Sequence, residues 1–430
     1  MSELGIFLIV GLLVLLALGV PIAFTLGILT VGGLWLADVD LVMLAQRVLA
    51  GTNVSSLLAI PGFILAGDLM SAGGLSRRLV RFAAALLGHL SGGLSMATVA
   101  AGTFFGAISG SAPATTAAVG SVMIDEMEKR GYSRGYGAAL ATAVGPIGQM
   151  IPPSIPMVVW AVLAEESVSK LFVAGVIPGL LAAAGFVLVS YIYAKRNKIP
   201  TDRRASAREL WDAVREGFWA LLAPVVILGG IYGGVFTPTE ASMVGVLYGL
   251  IVGLFVYRDL KLSDLPELLL RSMRTTAVIM FIIAMAYGFA WLMAAEQIPT
   301  QITAALLSVS DNPVVIILLL NLLLLLLGAV MDNISAMVIL SSVLTAIGTQ
   351  IGMEPIQLGA MVVINFAVGM ATPPVGYSLF VGASVSGLRL ETVTRHLWPF
   401  LLVLLGVILA VAFIPPVTTW LPEVLVSRGG

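Results

Sequence analysis

The chain is 430 residues long, 59% apolar and 10% charged, with a mean hydropathy of +1.06 and a formal net charge of −1. Soluble chains of this size carry about 25% charged residues, so a soluble globular domain is excluded. There is no cysteine, which excludes disulfides, thiol catalysis and thiolate metal sites.

In chain order, the first apolar run starts Met1-Ser2-Glu3 without a basic n-region and reads as a retained helix, not a signal peptide. Spans are expected at about 4–20, 22–37 and 57–72, then a basic loop with Arg77, Arg78 and Arg81. A long apolar block at 90–128 holds "GAISGSAPATT" (Gly106 to Thr116) in its middle. Lys129, Arg130 and Arg134 follow, then spans at about 135–164 and 171–194. The strongest basic cluster runs through Lys195, Arg196, Lys198, Arg203, Arg204, Arg208 and Arg215 and places that loop in the cytoplasm. Further spans are expected at about 218–236, 240–257, 275–294 and 397–413, with basic inside loops at Arg258 to Arg274 and at Arg389 and Arg395. Runs such as Val314 to Val330 approach the roughly 20 residues that cross a hydrocarbon core. A membrane β-barrel would instead show segments of about 10 alternating residues.

This charge pattern puts both termini outside. It also leaves two blocks, 90–128 and 313–350, that do not fit as single crossings. Each has a polar break near its middle and reads as a re-entrant hairpin of two half-helices, the first opening to the cytoplasm and the second to the periplasm. Segments 262–274 and 298–310 read as amphipathic interfacial helices. Asp68 and Glu296 read as solvated span-end charges, and Glu240 in "VFTPTEAS" as a helix-start carboxylate.

The blocks belong to two related halves. "GQMIPPSIPM" (Gly148 to Met157) matches "GMATPPVGYS" (Gly369 to Ser378), and Gly148/Gly369, Pro152/Pro373, Pro153/Pro374 and Pro178/Pro399 all lie 221 residues apart. "GAISGSAPA" from Gly106 aligns with "GAVMDNISA" from Gly328 at 222. The expected fold is an all-α polytopic membrane protein with an inverted repeat, two re-entrant hairpins and two broken helices, the architecture of many secondary transporters. The expected division is scaffold helices 1–85, a first transport repeat 86–194 (hairpin 90–128, broken helix 135–164), a basic loop and scaffold helices 195–275, and a second repeat 276–430 (hairpin 313–350, broken helix 357–385). A duplicated scaffold with proline kinks and no transport is the alternative. Against it, unpaired backbone at membrane depth is tolerated where it is buried in protein or lines a cavity.

The breaks carry the chemistry. Ser109-Gly110-Ser111 is a hairpin tip, where Ser111 can cap the second helix and Pro113 fits its first turn. Lys129, Arg130 and Gly131 supply the stop. The helix N-terminus suits a carboxylate, and the carbonyls and hydroxyls suit Na⁺; capping alone is the other reading. Asp332, at the tip Met331-Asp332-Asn333-Ile334-Ser335, has no basic partner close in sequence. It is either a cation ligand or an N-cap facing an aqueous vestibule. Pro152-Pro153 and Pro373-Pro374 remove N–H donors and free earlier carbonyls, with Ser154, Thr372 and Asn365 adding oxygens. Gln149 and Asn321 can serve as ligands or as plain helix–helix hydrogen bonds.

"SGSAPATTAAVG", "IPPS", "LFVAGVIPGLL", "GGVFTPTEAS" and "ATPPVGYSLF", in this order along nearly the whole chain, resemble the large membrane subunit of tripartite ATP-independent periplasmic (TRAP) transporters. The resemblance implies an elevator-type, Na⁺-coupled importer of a small organic acid delivered by a periplasmic binding protein, in a bacterial inner membrane. It implies a first Na⁺ site at Ser109, Gly110 and Ser111 and the break near Gly145 and Pro146, and a second at Asp332, Asn333 and Thr372. The substrate pocket would lie between the tips, near Ser111, Pro152, Pro153, Ser154, Pro373 and Pro374. A small four-helix membrane subunit is expected on a separate chain, since nothing precedes the first span. Na⁺ is the only coupling ion expected, and no nucleic-acid partner.

The rival reading is a stand-alone Na⁺/carboxylate symporter, which typically shows Ser-Asn-Thr at both tips. An intramembrane Ser–His protease would need His89 or His396 as base for Ser109, and Ala107 spoils its "GxSG"; no enzyme activity is expected. No lysine follows a glycine, so no P-loop exists for ATP. Saturable, Na⁺-requiring flux would separate a carrier from a passive channel.

Overall fold

The computed structural model describes residues 3–201, 203–308, 310 and 312–426. Met1 and Ser2, read above as part of a retained N-terminus, lie outside them. Every regular element among the described residues is helical. Eight of these helices are long and apolar enough to cross a membrane, or nine if the pair Arg134–Met150 and Ile155–Leu163, bent by 42°, forms one span. Large apolar side chains face outward along many of them, including Leu322, Leu326, Phe255 and Leu402. In hydrocarbon such a surface costs nothing, whereas every backbone polar group needs an internal partner, which helices supply.

The two apolar blocks each fold as helix–tip–helix. The first hairpin comprises Gly93–Ser109 and Ala112–Lys129, the second Pro313–Val330 and Asn333–Gln350. The arms have 17, 18, 18 and 18 residues, about 26–27 Å each, so they exceed the half-helices expected. Local signals set their ends. Asn312 caps the second hairpin by accepting from the Val314 N–H at 2.9 Å. Arg130 caps Ala112–Lys129 and Gly131 follows at φ +89°, as the Lys-Arg-Gly stop predicts.

Each hairpin packs on a helix broken at a Pro-Pro pair. The first broken helix is Arg134–Met150 then Ile155–Leu163; the second is Pro355–Gly369 then Tyr377–Ser386. Both Pro152-Pro153 and Pro373-Pro374 are cis. The aligned glycines explain the fit. A Cβ on Gly106 would sit 2.4 Å from the Gly148 Cα, and one on Gly369 would sit 2.7 Å from the Gly328 Cα. Backbone meets backbone at the same place in both halves, and backbone cannot step aside.

Three expectations change. Arg77, Arg78 and Arg81 belong to a helix, Leu75–Leu87, and not to a loop; Arg78 pairs with Asp259 at 2.5 Å and lies over the Tyr257 ring. Segment 262–274 is no separate interfacial helix. From Leu265 it is continuous with a 31-residue helix, Leu265–Ala295, because nothing after Pro266 in its first turn breaks it. The expected boundary at 275/276 therefore falls inside one rigid rod of about 46 Å. Asp68 is not merely solvated: it accepts from Ser272 Oγ at 2.7 Å and faces Arg271 at 3.9 Å, joining helix Ala59–Ala72 to the long helix.

Candidate functional site

Both tips and both breaks contribute to one cavity of about 620 Å³ against the long helix. Gly110, Ser111 and Pro113 come from the first tip, and Gly328 to Ile334 from the second. Gln149, Ile155 and Pro156 come from one broken helix; Met370, Val375 and Tyr377 come from the other. The long helix adds Arg274, Thr275, Val278, Ile279 and Ile282. A neighbouring cavity of about 650 Å³ shares Ser111, Pro113, Ile155, Thr275 and Tyr377 with it.

The first tip is closed on itself. Thr115 Oγ1 donates to the Ser111 carbonyl at 2.8 Å and lies 3.0 Å from Ser109 Oγ. Thr115 has spent its one proton, so Ser109 donates to it, while the Ser111 N–H donates to Ser109 Oγ at 3.4 Å. Gly110 is left-handed at φ +60°, and a Cβ there would sit 2.5 Å from the Pro153 carbonyl oxygen. Ser111 holds the N-cap position of Ala112–Lys129, but its hydroxyl makes no capping bond, contrary to expectation. That hydroxyl belongs to a residue lining both cavities. Gly145 lies just behind, where a Cβ would meet Thr116 Oγ1 at 2.4 Å and the Ala112 carbonyl at 2.9 Å. Thr116 Oγ1 is buried without a partner. Pro146 sits within Arg134–Met150 and is buried.

At the second tip Asp332 is exposed and caps Asn333–Gln350. It accepts from the Ser335 N–H at 3.1 Å and from Ser335 Oγ at 3.2 Å. The carboxylate thus has the vestibule-facing cap geometry and still lines the cavity. Asn333 is buried and donates through Nδ2 to Gln149 Oε1 at 3.0 Å. Gln149 Nε2 in turn approaches Met370 Sδ at 3.7 Å. Gln149 and Met370 hold equivalent places, 221 residues apart, so this chain crosses between the halves.

None of the four break prolines lines the main cavity. Pro152, Pro153 and Ser154 are buried, and Ser154 Oγ accepts from the Met157 N–H at 3.4 Å as an N-cap. Pro373 is half-buried and Pro374 exposed, and neither lines the main cavity. The residues facing it are their neighbours on either side. Nor are all the carbonyls of the second break free: Gly369's accepts from the Thr372 N–H at 2.8 Å and Met370's from the Ser378 N–H at 2.8 Å. Thr372 Oγ1 donates to the Val368 carbonyl at 2.8 Å. Asn365 Nδ2 donates to Asn321 Oδ1 at 2.7 Å, a helix–helix contact, and Asn365 Oδ1 is buried without a hydrogen-bond partner.

Asp332 and Arg274 are the only charges among the residues lining the main cavity. No three His, Cys, Asp or Glu side chains gather anywhere among the described residues. The donors at the tips are therefore hydroxyls, amides and carbonyls around one carboxylate, a hard oxygen set that suits Na⁺ better than a transition metal. Arg274 escaped sequence reading because it was grouped with loop charges. Gln149's repeat partner, Met370, was the available clue to its role.

Residues 9–417 match the family model described as "Tripartite ATP-independent periplasmic transporter, DctM component". The chain is 43% identical over 380 residues to the C4-dicarboxylate TRAP transporter large permease protein DctM of Pseudomonas aeruginosa, covering 88% of this chain and 89% of that protein. It is 37% identical to the sialic acid TRAP transporter large permease protein SiaM of Vibrio cholerae, covering 98% and 99%. It is also 37% identical to the 2,3-diketo-L-gulonate TRAP transporter large permease protein YiaN of Escherichia coli, covering 93% and 94%. Its fold resembles the crystal structure of the Alcanivorax borkumensis YdaH transporter, with a TM-score of 0.65 at 15% identity over 96% of this chain and 98% of that one. These relatives are transporter permeases, not enzymes, and this multi-pass membrane chain belongs to the DctM family of TRAP transporter components.

Proposed function

We propose that the chain is a Na⁺-coupled secondary transporter that imports a small organic acid, a dicarboxylate, sialic acid or similar, across a bacterial inner membrane. A periplasmic binding protein delivers the acid, and a small four-helix membrane subunit on a separate chain completes the assembly. The observation that carries this reading is the convergence of two hairpin tips and two proline breaks on one cavity. The first Na⁺ sits at Ser109, Gly110 and Ser111 with the backbone near Gly145 and Pro146, where one lone pair of Ser109 Oγ stays free. The second sits at Asp332 and Asn333 with Thr372, whose oxygen keeps acceptor capacity. The acid lies between the tips beside Ser111, Gln149 and Pro156.

The paired hairpins and breaks support an inverted repeat, with hairpins and broken helices moving as one body against the scaffold. The long helix Leu265–Ala295 belongs to that scaffold. The basic clusters support cytoplasmic loops and periplasmic termini. The test is reconstitution of the chain with its small subunit in liposomes. Uptake should require external Na⁺ and the loaded binding protein. Equal uptake of free substrate without the binding protein would favour a stand-alone symporter.

A further inference from the structure

We infer that Arg274 is the cation that receives the carboxylate of the transported acid, from the fixed wall of the cavity. The inference rests on the transport reading above and adds a residue to it. Arg274 lies almost three turns into Leu265–Ala295, is exposed, and lines the main cavity together with the second tip. Arg271, one turn earlier, is engaged by Asp68 at 3.9 Å. Arg274 has no ion pair and no side-chain hydrogen bond among the described residues. Around it the same helix offers only Thr275 and the apolar Val278, Ile279 and Ile282.

A guanidinium facing an apolar-walled cavity without a counter-ion focuses its field on whatever enters. Its planar fork matches a carboxylate through two parallel N–H···O bonds. The only other charge among the described residues of the wall is Asp332, from the second hairpin tip. With Asp332 bare the two charges cancel, and an arriving anion finds no net attraction. With Na⁺ on Asp332 the cavity is net positive by one charge, and the anion is drawn to Arg274. The arrangement thus makes anion affinity depend on Na⁺ through charge alone. Because Arg274 rides on the scaffold helix, this contact exists only while the hairpins stand beside that helix.

The chain has no cysteine, so a single introduced thiol can be modified selectively. Uptake of radiolabelled succinate and of N-acetylneuraminate is measured for wild type and Arg274→Cys in the full assembly, before and after thiol modification. Arg274→Cys should raise the half-saturating anion concentration about tenfold or more. Half-saturating Na⁺ for Na⁺ binding in the absence of anion should not rise, because the substitution removes a positive charge from the cavity that holds Asp332. An aminoethyl methanethiosulfonate adduct restores a cation and should recover affinity; a sulfonatoethyl or neutral hydroxyethyl adduct should not. Arg274→Gln, which keeps a polar but neutral side chain, covers a cysteine variant that fails to assemble and should show the same loss. Wild-type anion affinity in Arg274→Cys or Arg274→Gln, or equal rescue by the neutral adduct, overturns the assignment and leaves the transport reading standing. Wild-type uptake of a probe that is the same with and without Na⁺ overturns the transport reading itself.

Discussion

The two hairpins follow one backbone plan and carry different chemistry. In both, a glycine near the end of the first arm lies against a glycine of the broken helix, Gly106 on Gly148 and Gly328 on Gly369. Asn321 and Asn365 are hydrogen-bonded at 2.7 Å, whereas the residues 222 and 221 positions earlier are Val99 and Val144, both buried. The first tip has no charge and is shaped by backbone and hydroxyls. The second carries a carboxylate and reaches sideways through Asn333 to Gln149. The two hairpins agree where backbone meets backbone and differ where side chains meet each other.

The glycine contacts should give the largest effect. Gly106→Ala places a methyl 2.4 Å from the Gly148 Cα, and Gly369→Ala places one 2.6 Å from the Gly328 carbonyl carbon. Each should cost roughly 3 kcal/mol or more, because packed backbone cannot yield, and lower the yield of folded protein in parallel. Thermal unfolding of the two purified variants checks this. A large loss in one and none in the other would break the equivalence of the halves.

Gln149→Ala should come next. It strips the partner from the buried Asn333 amide, at a cost of about 1–3 kcal/mol. Thermal stability should fall, and uptake should fall with it, because the second tip loses its tie to the first broken helix. Unchanged stability and uptake would mean that the halves are joined elsewhere. Arg134 is one other link, with Nε donating to the Ser386 carbonyl at 2.8 Å.

The smallest effect tests divergence directly. Asn321→Val or Asn365→Val alone removes the bond between them, while the remaining amide keeps its backbone carbonyl partner, and should cost about 1–2 kcal/mol. The double substitution gives the second half the residues of the first and should cost less than the sum of the two single changes, by a coupling of about 0.6–1.7 kcal/mol. Additive losses would show that the two interfaces have different shapes as well as different polarity.

Much of the plan is legible in the sequence, because glycine and proline mark backbone geometry directly. The constant spacing locates both tips and both breaks, and Glu240 is the helix-start carboxylate expected, closing a capping box with Thr237, whose N–H donates to it at 2.8 Å. What escapes reading depends on contacts remote in the chain. Glu267, Arg271 and Arg274 interrupt the hydropathy of 262–274 and suggest an interfacial helix, yet Arg271 turns to Asp68 and Arg274 lines the cavity. Ser111 has the residue type and position of a cap, but its hydroxyl makes no capping bond. Ser154 looks as available as Ser111 in sequence and is sealed behind the wall.

The contrast between a neutral tip and a charged one is tested most directly by the Na⁺ dependence of uptake in wild type and Asp332→Asn. Asparagine caps a helix about as well as aspartate, so folding and assembly should persist. If the carboxylate holds Na⁺, the half-saturating Na⁺ concentration should rise about tenfold or more, for ~1.4 kcal/mol lost. Superimposable Na⁺ curves for the two proteins would reduce Asp332 to a helix cap and contradict the account of the second tip as an ion site.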